Sequence, residues 1–533
     1  MSTFASPRVQ FSEYDISQFV GNNPTTVGAM VIRGKRGLLT PTFISNTGQL
    51  MDLYTHTGKS LDTSYVEQYA ATSFLESEYA GLWVVRAVGA GATFAYIIVN
   101  DSTSTNATTA PSTGLAINTG HTAPVFPAWT GISGTGNNPA FILYAKGPGA
   151  YGNSMQVSIS NVSATAGTFN MEIDEVMSDG TVNVRFSGLA SLNPTAKDGY
   201  GNSIFVENLL ANNQYVGGVV NTAEYSSVPQ AITTPVKFAG GVDADPVVGD
   251  VGSQYQQFSN TEQWDIDLFI QGGFGGDTIR TLLVQIAGQR GDALAVLDVD
   301  QNVVSVADIT TWRTTSFNVS SSYGWIITPW LKTYDYGNDA QIYIPPSGVV
   351  AGLMAKAEYQ FDPWFVPAGL NRGTVNVLGL ANYYSLADRD ALDKLQVNCF
   401  KRSPGVIALW NNRTLQTQES AFSFVETRRL LNYVKKNTCK TLDQFMFEPL
   451  VDSTRLRLVA TLEDFMNDVK RRLGVLDYKV VSDPLGTGNN PPVAGDQGLL
   501  NVDLYVKPVR AVRYIQLRAI VTRAGYDLKE TIV

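Results

Sequence analysis

Short runs of the chain that are apolar at nearly every position predict strands buried on both faces: "VGAMVIRG" (27–34), "LWVVRAV" (82–88), "WDIDLFI" (264–270) and "ALAVLDV" (293–299). Between them the rhythm changes to three- and four-residue steps. "DTSYVEQYAATSFLES" (62–77) predicts a helix capped by Asp62 or Thr63, with Val66, Tyr69, Ala70 and Phe74 inward. "DTIRTLLVQIAGQ" (277–289) predicts a second helix opened by Asp277, and its short connections favour parallel pairing of the flanking strands. Further on, Val459, Leu462, Met466, Val469 and Leu473 mark an amphipathic helix with Asp464, Asp468 and Arg471 on its wet side. A third rhythm, strict alternation, appears at both ends. Val9 and Phe11 share one face of "RVQFSEYDIS", and Ile515, Leu517, Ala519 and Val521 share one face of "VRYIQLRAIVTR". The first of these precedes the break "GNNPTT", so it either pairs within the chain's own sheet or adds to the sheet of another subunit.

These patterns divide the 533 residues into a leading segment (1–22), an α/β lobe (23–98), a β-rich region (99–240), a second α/β unit (241–385), an α+β unit (386–511) and a closing strand (512–533). The tract 100–138 stands apart. Between Asp101 and Thr165 only Asp101 and Lys146 are charged, and the Ser/Thr-rich opening of that stretch reads as a surface loop or small β insertion.

Composition narrows the class of function. Only 16% of residues are charged against 44% hydrophobic, well below the roughly 25% charge of ordinary soluble domains. High strand content and large contacts between subunits both fit that balance. The net charge of −9 argues against a direct nucleic-acid partner. It is uneven: residues from 401 onward carry 20 basic against 14 acidic side chains, and the first 400 carry 18 against 33. A basic C-terminal quarter suggests either an acidic partner on one face or ordinary solvated helices. Cys399 and Cys439 alone indicate no disulfide framework. The sequence shows no apolar core of a signal peptide and no run near 18 apolar residues, so the expectation is assembly in a reducing cytosol without membrane insertion.

Three stretches invite a chemical reading. "IQGGFGGDTIRTL" places glycines between a strand and a helix, but it lacks the Lys-Ser/Thr of a P-loop, and a tight turn explains it better. Asp298 and Asp300 end a strand without further metal ligands in the motif, which favours turn or cap roles. Ser347 in "PPSG" lacks a nucleophile elbow, and His56 and His121 lie far from it in sequence. A helix cap, with Val349, Val350, Leu353, Met354 and Ala357 buried behind it, accounts for this serine better. The expectation is no catalytic residue, cofactor or metal.

The stretch "YGWIITPWLKTYDYGNDAQIYIPPSGVVAGLMAKAEYQFDPWFVPAGLNRG" (323–373) closely resembles the signature region of bacteriophage contractile tail sheath proteins. "LWVVRAV", "AKGPGAYGNSMQVSI", "FAGGVD", "GVIALWNNRTL" with the Arg428–Arg429 helix, and "YVKPVRAVRYIQLRAIVTRAG" extend the resemblance over most of the chain, with 100–138 least matched. Asn411–Asn412 depart from the Gly or Gly-Ala common at that position. The resemblance implies an α/β and α+β multidomain protein: an α/β core with a β-rich outer insertion, a C-terminal α+β domain facing a tube, and extended N- and C-terminal strand arms. It implies a structural subunit, not an enzyme, that stacks in hexameric rings around a tail tube and contracts to drive the tube through the host envelope. A sheath from a related injection machine is the alternative. Implied partners are further copies of itself, the tail tube protein, the baseplate and the tail terminator. Val9, Phe11, Ile515, Leu517 and Val521 become donated-strand residues, and Lys470, Arg471 and Arg472 become tube-facing candidates. Pro345, Pro346, Ser347, Pro363, Pro367 and Gly369 punctuate a rigid joint, with "PAGLNRG" setting the crossing toward the C-terminal domain.

Overall fold

A computed structural model describes residues 26–514 and 516, apart from 56–60, 78, 110, 112, 119, 121, 133–135, 178–179 and 493–496. Its centre is a nine-stranded sheet. In chain order the strands are β1 (Thr26–Ile32), β2 (Thr42–Ile44), β3 (Ala80–Arg86), β4 (Leu268–Ile270), β5 (Leu294–Asp298), β6 (Gly324–Thr328), β7 (Thr374–Val375), β8 (Val397–Ser403) and β9 (Val406–Leu409). In space they lie β7-β9-β8-β6-β5-β4-β1-β3-β2. The six inner strands from β8 to β3 run parallel, and the margins are antiparallel.

Parallel strands covered on both faces need apolar residues at every position, and successive side chains go to opposite layers. Met30, Leu82, Ile270, Val296 and Ile327 enter one layer. It is closed by helix α1 (Val66–Leu75) and the later α3 (Pro346–Gln360). Ala29, Val85, Phe269, Leu297 and Ile326 enter the other layer, closed by α2 (Gly276–Arg290).

The sheet draws on stretches that the sequence separates. Strands β1–β3 come from the first α/β lobe, β4–β7 from the second, and β8–β9 from the stretch read as α+β. Helix α1 starts only at Val66, with no side-chain cap; Asp62 instead accepts from the Ser64 amide one turn earlier.

The β-rich region is inserted between β3 and β4. A four-stranded sheet built from 155–163, 168–176, 182–190 and 232–237 shares one core with the sheet of 96–100, 139–145 and 216–220. After β9 the described residues form helices α4 (Val425–Leu442) and α5 (Asp452–Arg471) and an antiparallel strand pair, Val475–Val481 with Asp503–Pro508. On α5 the inward residues include Leu458, Leu462, Phe465, Met466 and Val469. Leu473 lies past the helix end at φ 63° and is exposed, so the apolar stripe stops a turn earlier than its spacing predicts.

Candidate functional site

Helix α3 begins where strand 340–344 ends. Pro345 precedes the helix and Pro346 occupies its first turn, where a missing N–H costs nothing. Ser347 does not cap the helix, because its hydroxyl makes no capping bond there. The cap is supplied from the sheet. Asp298 at the end of β5 accepts the Ser347 amide through Oδ1 and the Ser347 hydroxyl through Oδ2, both at 2.6 Å. Ser347 Oγ in turn accepts the Gly272 amide at 3.1 Å. A carboxylate at a helix N-terminus also complements the helix dipole. Burial nevertheless pushes Asp298 up to about 7, against the opposing hydrogen bonds and the Arg280 charge.

The glycine-rich turn after β4 closes on this arrangement. Gly272 and Gly273 have φ of 71° and 78°. A Cβ on Gly272 would lie 2.1 Å from Met30 Cε, and one on Gly273 would lie 2.9 Å from Trp330. The Gly272 amide is already committed to Ser347, so the turn serves packing. Next to it Arg280, fully buried, donates to Asp298 O at 2.7 Å and to Asp277 at 2.6 Å, pairs with Asp300, and lies over Trp312. A guanidinium therefore occupies the position between the carboxylates of Asp277 and Asp300. Among the described residues no group of three or more His, Cys, Asp or Glu is arranged to hold a metal, and His56 and His121 lie outside them.

At its far end α3 stops at Gln360, before Pro363. The next residue, Trp364, inserts into the core of the C-terminal helices with Leu430, Val434, Phe465, Met466 and Val469. Trp364 Nε1 donates to Arg472 O at 3.1 Å, and Arg472 pairs with Asp362 and donates to Tyr433 Oη at 3.1 Å. The crossing into the C-terminal domain is thus made by "DPW". The following "PAGLNRG" turns back, through buried Pro367 and Gly369 at φ 81°, to strand β7 at the sheet margin.

Arg472 is consequently a residue of this joint and not a free surface cation. Lys470 and Arg471 are exposed, and their charges are shared with Asp477 and Asp468. Val9, Phe11, Ile515, Leu517 and Val521 lie outside the described residues.

A model of the phage tail sheath protein central domain matches residues 253–415, and one of the phage tail sheath C-terminal domain matches 417–522; together they take in just over half of the chain. The chain belongs to the phage tail sheath family. It is similar to the tail sheath protein of Enterobacteria phage T4, 28% identical over 358 residues that make up 63% of this chain and 53% of that protein. Likewise, it is 28% identical to the tail sheath protein of Vibrio phage KVP40 over 385 residues, 66% of this chain and 56% of that one. The chain spans about half the length of these curated relatives. In fold it resembles the sheath tail protein of Listeria innocua, with a TM-score of 0.55 at 11% identity over 92% of this chain and 96% of the other. The contracted helical sheath of the anti-feeding prophage gives 0.52 at 10% identity over 98% and 99%. Sheath proteins are structural subunits, which places this chain among structural proteins, not enzymes.

In this sheath protein charged side chains, Glu426 and Arg429 buried and Glu358 and Asp393 half-buried, tie distant parts of the fold together, and of these sequence reasoning singled out only Arg429. Glu358, Asp393, Glu426 and Arg429 all make bonds to distant elements. One signal was available: charges at 426, 429 and 436 recur on one face of α4 in an otherwise amphipathic helix.

Proposed function

We propose that this chain is the repeating subunit of a contractile sheath, which polymerises as stacked hexameric rings around a tail tube and shortens to drive the tube through the host envelope. The observation that carries the reading is the strand pair 475–481 and 503–508. Its two strands bond only to each other among the described residues, so two edges are open to strands from other copies. The terminal segments holding Val9 and Phe11, and Ile515, Leu517 and Val521, are the donors. Main-chain joints of this kind persist while rigid bodies rotate, and head-to-tail contacts that do not close build a helix. The domain bodies are the rigid part, pinned by the Ser347–Asp298 and Trp364 joints. The C-terminal domain faces the tube, with Lys470 and Arg471 contributing to the lining. The baseplate and tail terminator hold the two ends of the sheath, which assembles in the host cytoplasm and ends in the virion.

A sheath of a related injection machine is the second reading, supported by the fold-level likeness to the anti-feeding prophage sheath. Negative-stain microscopy of the purified full chain tests the proposal. Hollow tubes of the short, wide type support it. Deleting residues 1–22 is expected to abolish tubes and leave folded monomer; intact tubes refute strand donation by that segment. DNA-containing against DNA-free parent particles separate the two readings.

A further inference from the structure

The first and the last described segments of the chain, its two roots, both lie against α4. At the N-terminal root, Thr26 Oγ1 donates to Glu358 Oε2 at 2.6 Å, and the Val27 amide donates to Asp267 Oδ2 at 2.9 Å. Each carboxylate is met by a cation from α4: Arg429 donates to Glu358 at 2.5 Å and Lys436 to Asp267 at 2.6 Å. At the C-terminal root, residues 509–514 run past strand 503–508 without pairing in a sheet, yet they are held at successive points. The Val509 amide donates to Gly474 O at 3.2 Å, and Arg513 reaches Asp393 at 2.6 Å while lying over Phe424, the residue that opens α4, with its charge felt by the Glu426 carboxylate.

Glu426, Arg429 and Lys436 stand three and seven residues apart, so one side of a single helix, opened by Phe424 beneath Arg513, faces both roots. The seat for the C-terminal root is itself oriented by neighbours. Asn412 donates to Glu426 at 2.8 Å and Asn411 to Asp393 at 3.1 Å, and Arg413 shares Asp393. This assigns a function to the asparagine pair that departs from the family's glycines.

We infer that α4 is a mechanical link between the two arm roots: loosening or loading one root changes the other through Glu426, Arg429 and Lys436. This rests on the reading of the terminal segments as arms that bind other copies. With the link, a pull on the N-terminal arm by one neighbour is felt where the C-terminal arm leaves for another. A hydrogen-bonded ionic network, half-buried to buried, on a helix of 18 residues suits that task, because it has few alternative arrangements and little freedom to relax locally.

Hydrogen exchange on the unassembled full chain tests the link, reading the segments 26–33 and 503–514, with strands 155–190 of the outer sheet as internal control. Glu358→Gln is expected to speed exchange about tenfold at both roots and leave the outer sheet unchanged. Glu426→Gln is expected to do the same from the other side. The double variant Glu358→Gln/Arg429→Met removes both charges of the buried pair and reproduces the effect if Glu358→Gln alone folds poorly. Exchange that rises only at the root nearest each substitution overturns the link, as does a rise spread equally into the outer sheet. Tube formation by the wild-type chain is scored separately. Coupled roots without tubes fail the sheath-arm reading alone, and tubes with uncoupled roots fail the link alone.

Discussion

The Ser347 hydroxyl and the Asp298 carboxylate lie 2.6 Å apart, both wholly removed from solvent, and join the first turn of α3 to the end of β5. This bond carries a pH signature. Asp298 is raised from 3.8 to about 7 by burial, so the folded chain holds the proton more tightly than the unfolded one. The group's contribution to stability is therefore fully present below about pH 4 and is lost as pH rises through 7. Lowering pH from 8 to 5 is expected to stabilise the wild type relative to Asp298→Asn by about 1 kcal/mol or more. Parallel pH profiles in denaturant unfolding would refute this.

Ser347→Ala removes a hydroxyl that serves two partners and leaves the Gly272 amide and one Asp298 oxygen buried without it. Each orphaned group costs about 1–3 kcal/mol. The variant is expected to unfold at clearly lower urea, with the slope unchanged. A midpoint equal to wild type would show that the hydroxyl is dispensable.

Gly348 marks the closest approach of α3 to α1. A Cβ there would fall 2.1 Å from Ala70 O, a backbone atom that cannot swing aside. Gly348→Ala is therefore expected to destabilise by about 1–3 kcal/mol, although alanine favours helices. Thermal unfolding of the pair of proteins decides the sign.

Arg36 and Glu175 form a buried pair between the inner lobe and the outer insertion, each 2% exposed, with Arg185 sharing the carboxylate. Glu175→Gln leaves two guanidiniums competing for no buried charge. Breaking such a pair costs about 3–5 kcal/mol. Limited proteolysis is expected to release the outer insertion faster in this variant, with the inner core protected as before. An unchanged rate would place the attachment elsewhere.

Reversing Lys470 and Arg471 to glutamate tests the tube-facing proposal without disturbing the joint that Arg472 serves. Both side chains are exposed, so the monomer is expected to keep its unfolding midpoint within about 0.5 kcal/mol. Co-assembly with tube protein is expected to fall while sheath self-assembly persists. Undiminished co-assembly would rule these two residues out.

The parallel core of the fold is legible in the sequence because strands buried on both sides must be apolar throughout, and "ALAVLDV" permits little else. Helix α3 is only half legible. The stripe through Val350 and Met354 is visible, but its second buried face is made of Gly348, Ala351, Gly352 and Ala355. Small residues that admit a neighbouring backbone carry no hydrophobic period. Ser347 shows a different limit. A serine before an apolar run signals a local cap, whereas its actual partner lies 49 residues earlier in the chain and belongs to another strand. For the same reason β8 and β9 read as part of a C-terminal unit: sequence proximity to α4 conceals their membership of the sheet. The acids and bases that hold segments 26–27 and 509–514 are equally quiet, since a charged residue on a helix reads as solvated until its partner is placed.

The outer insertion enters and leaves the inner fold side by side, with Thr93 bridged to Val242 and Tyr96 to Ala239. The far side of the insertion can be exchanged, enlarged or trimmed while the strands below keep their register, provided that its contacts with Arg36, Arg86 and Asp52 are retained. A domain fused between Tyr96 and Ala239 therefore burdens one doorway of the fold and leaves the nine-stranded sheet untouched.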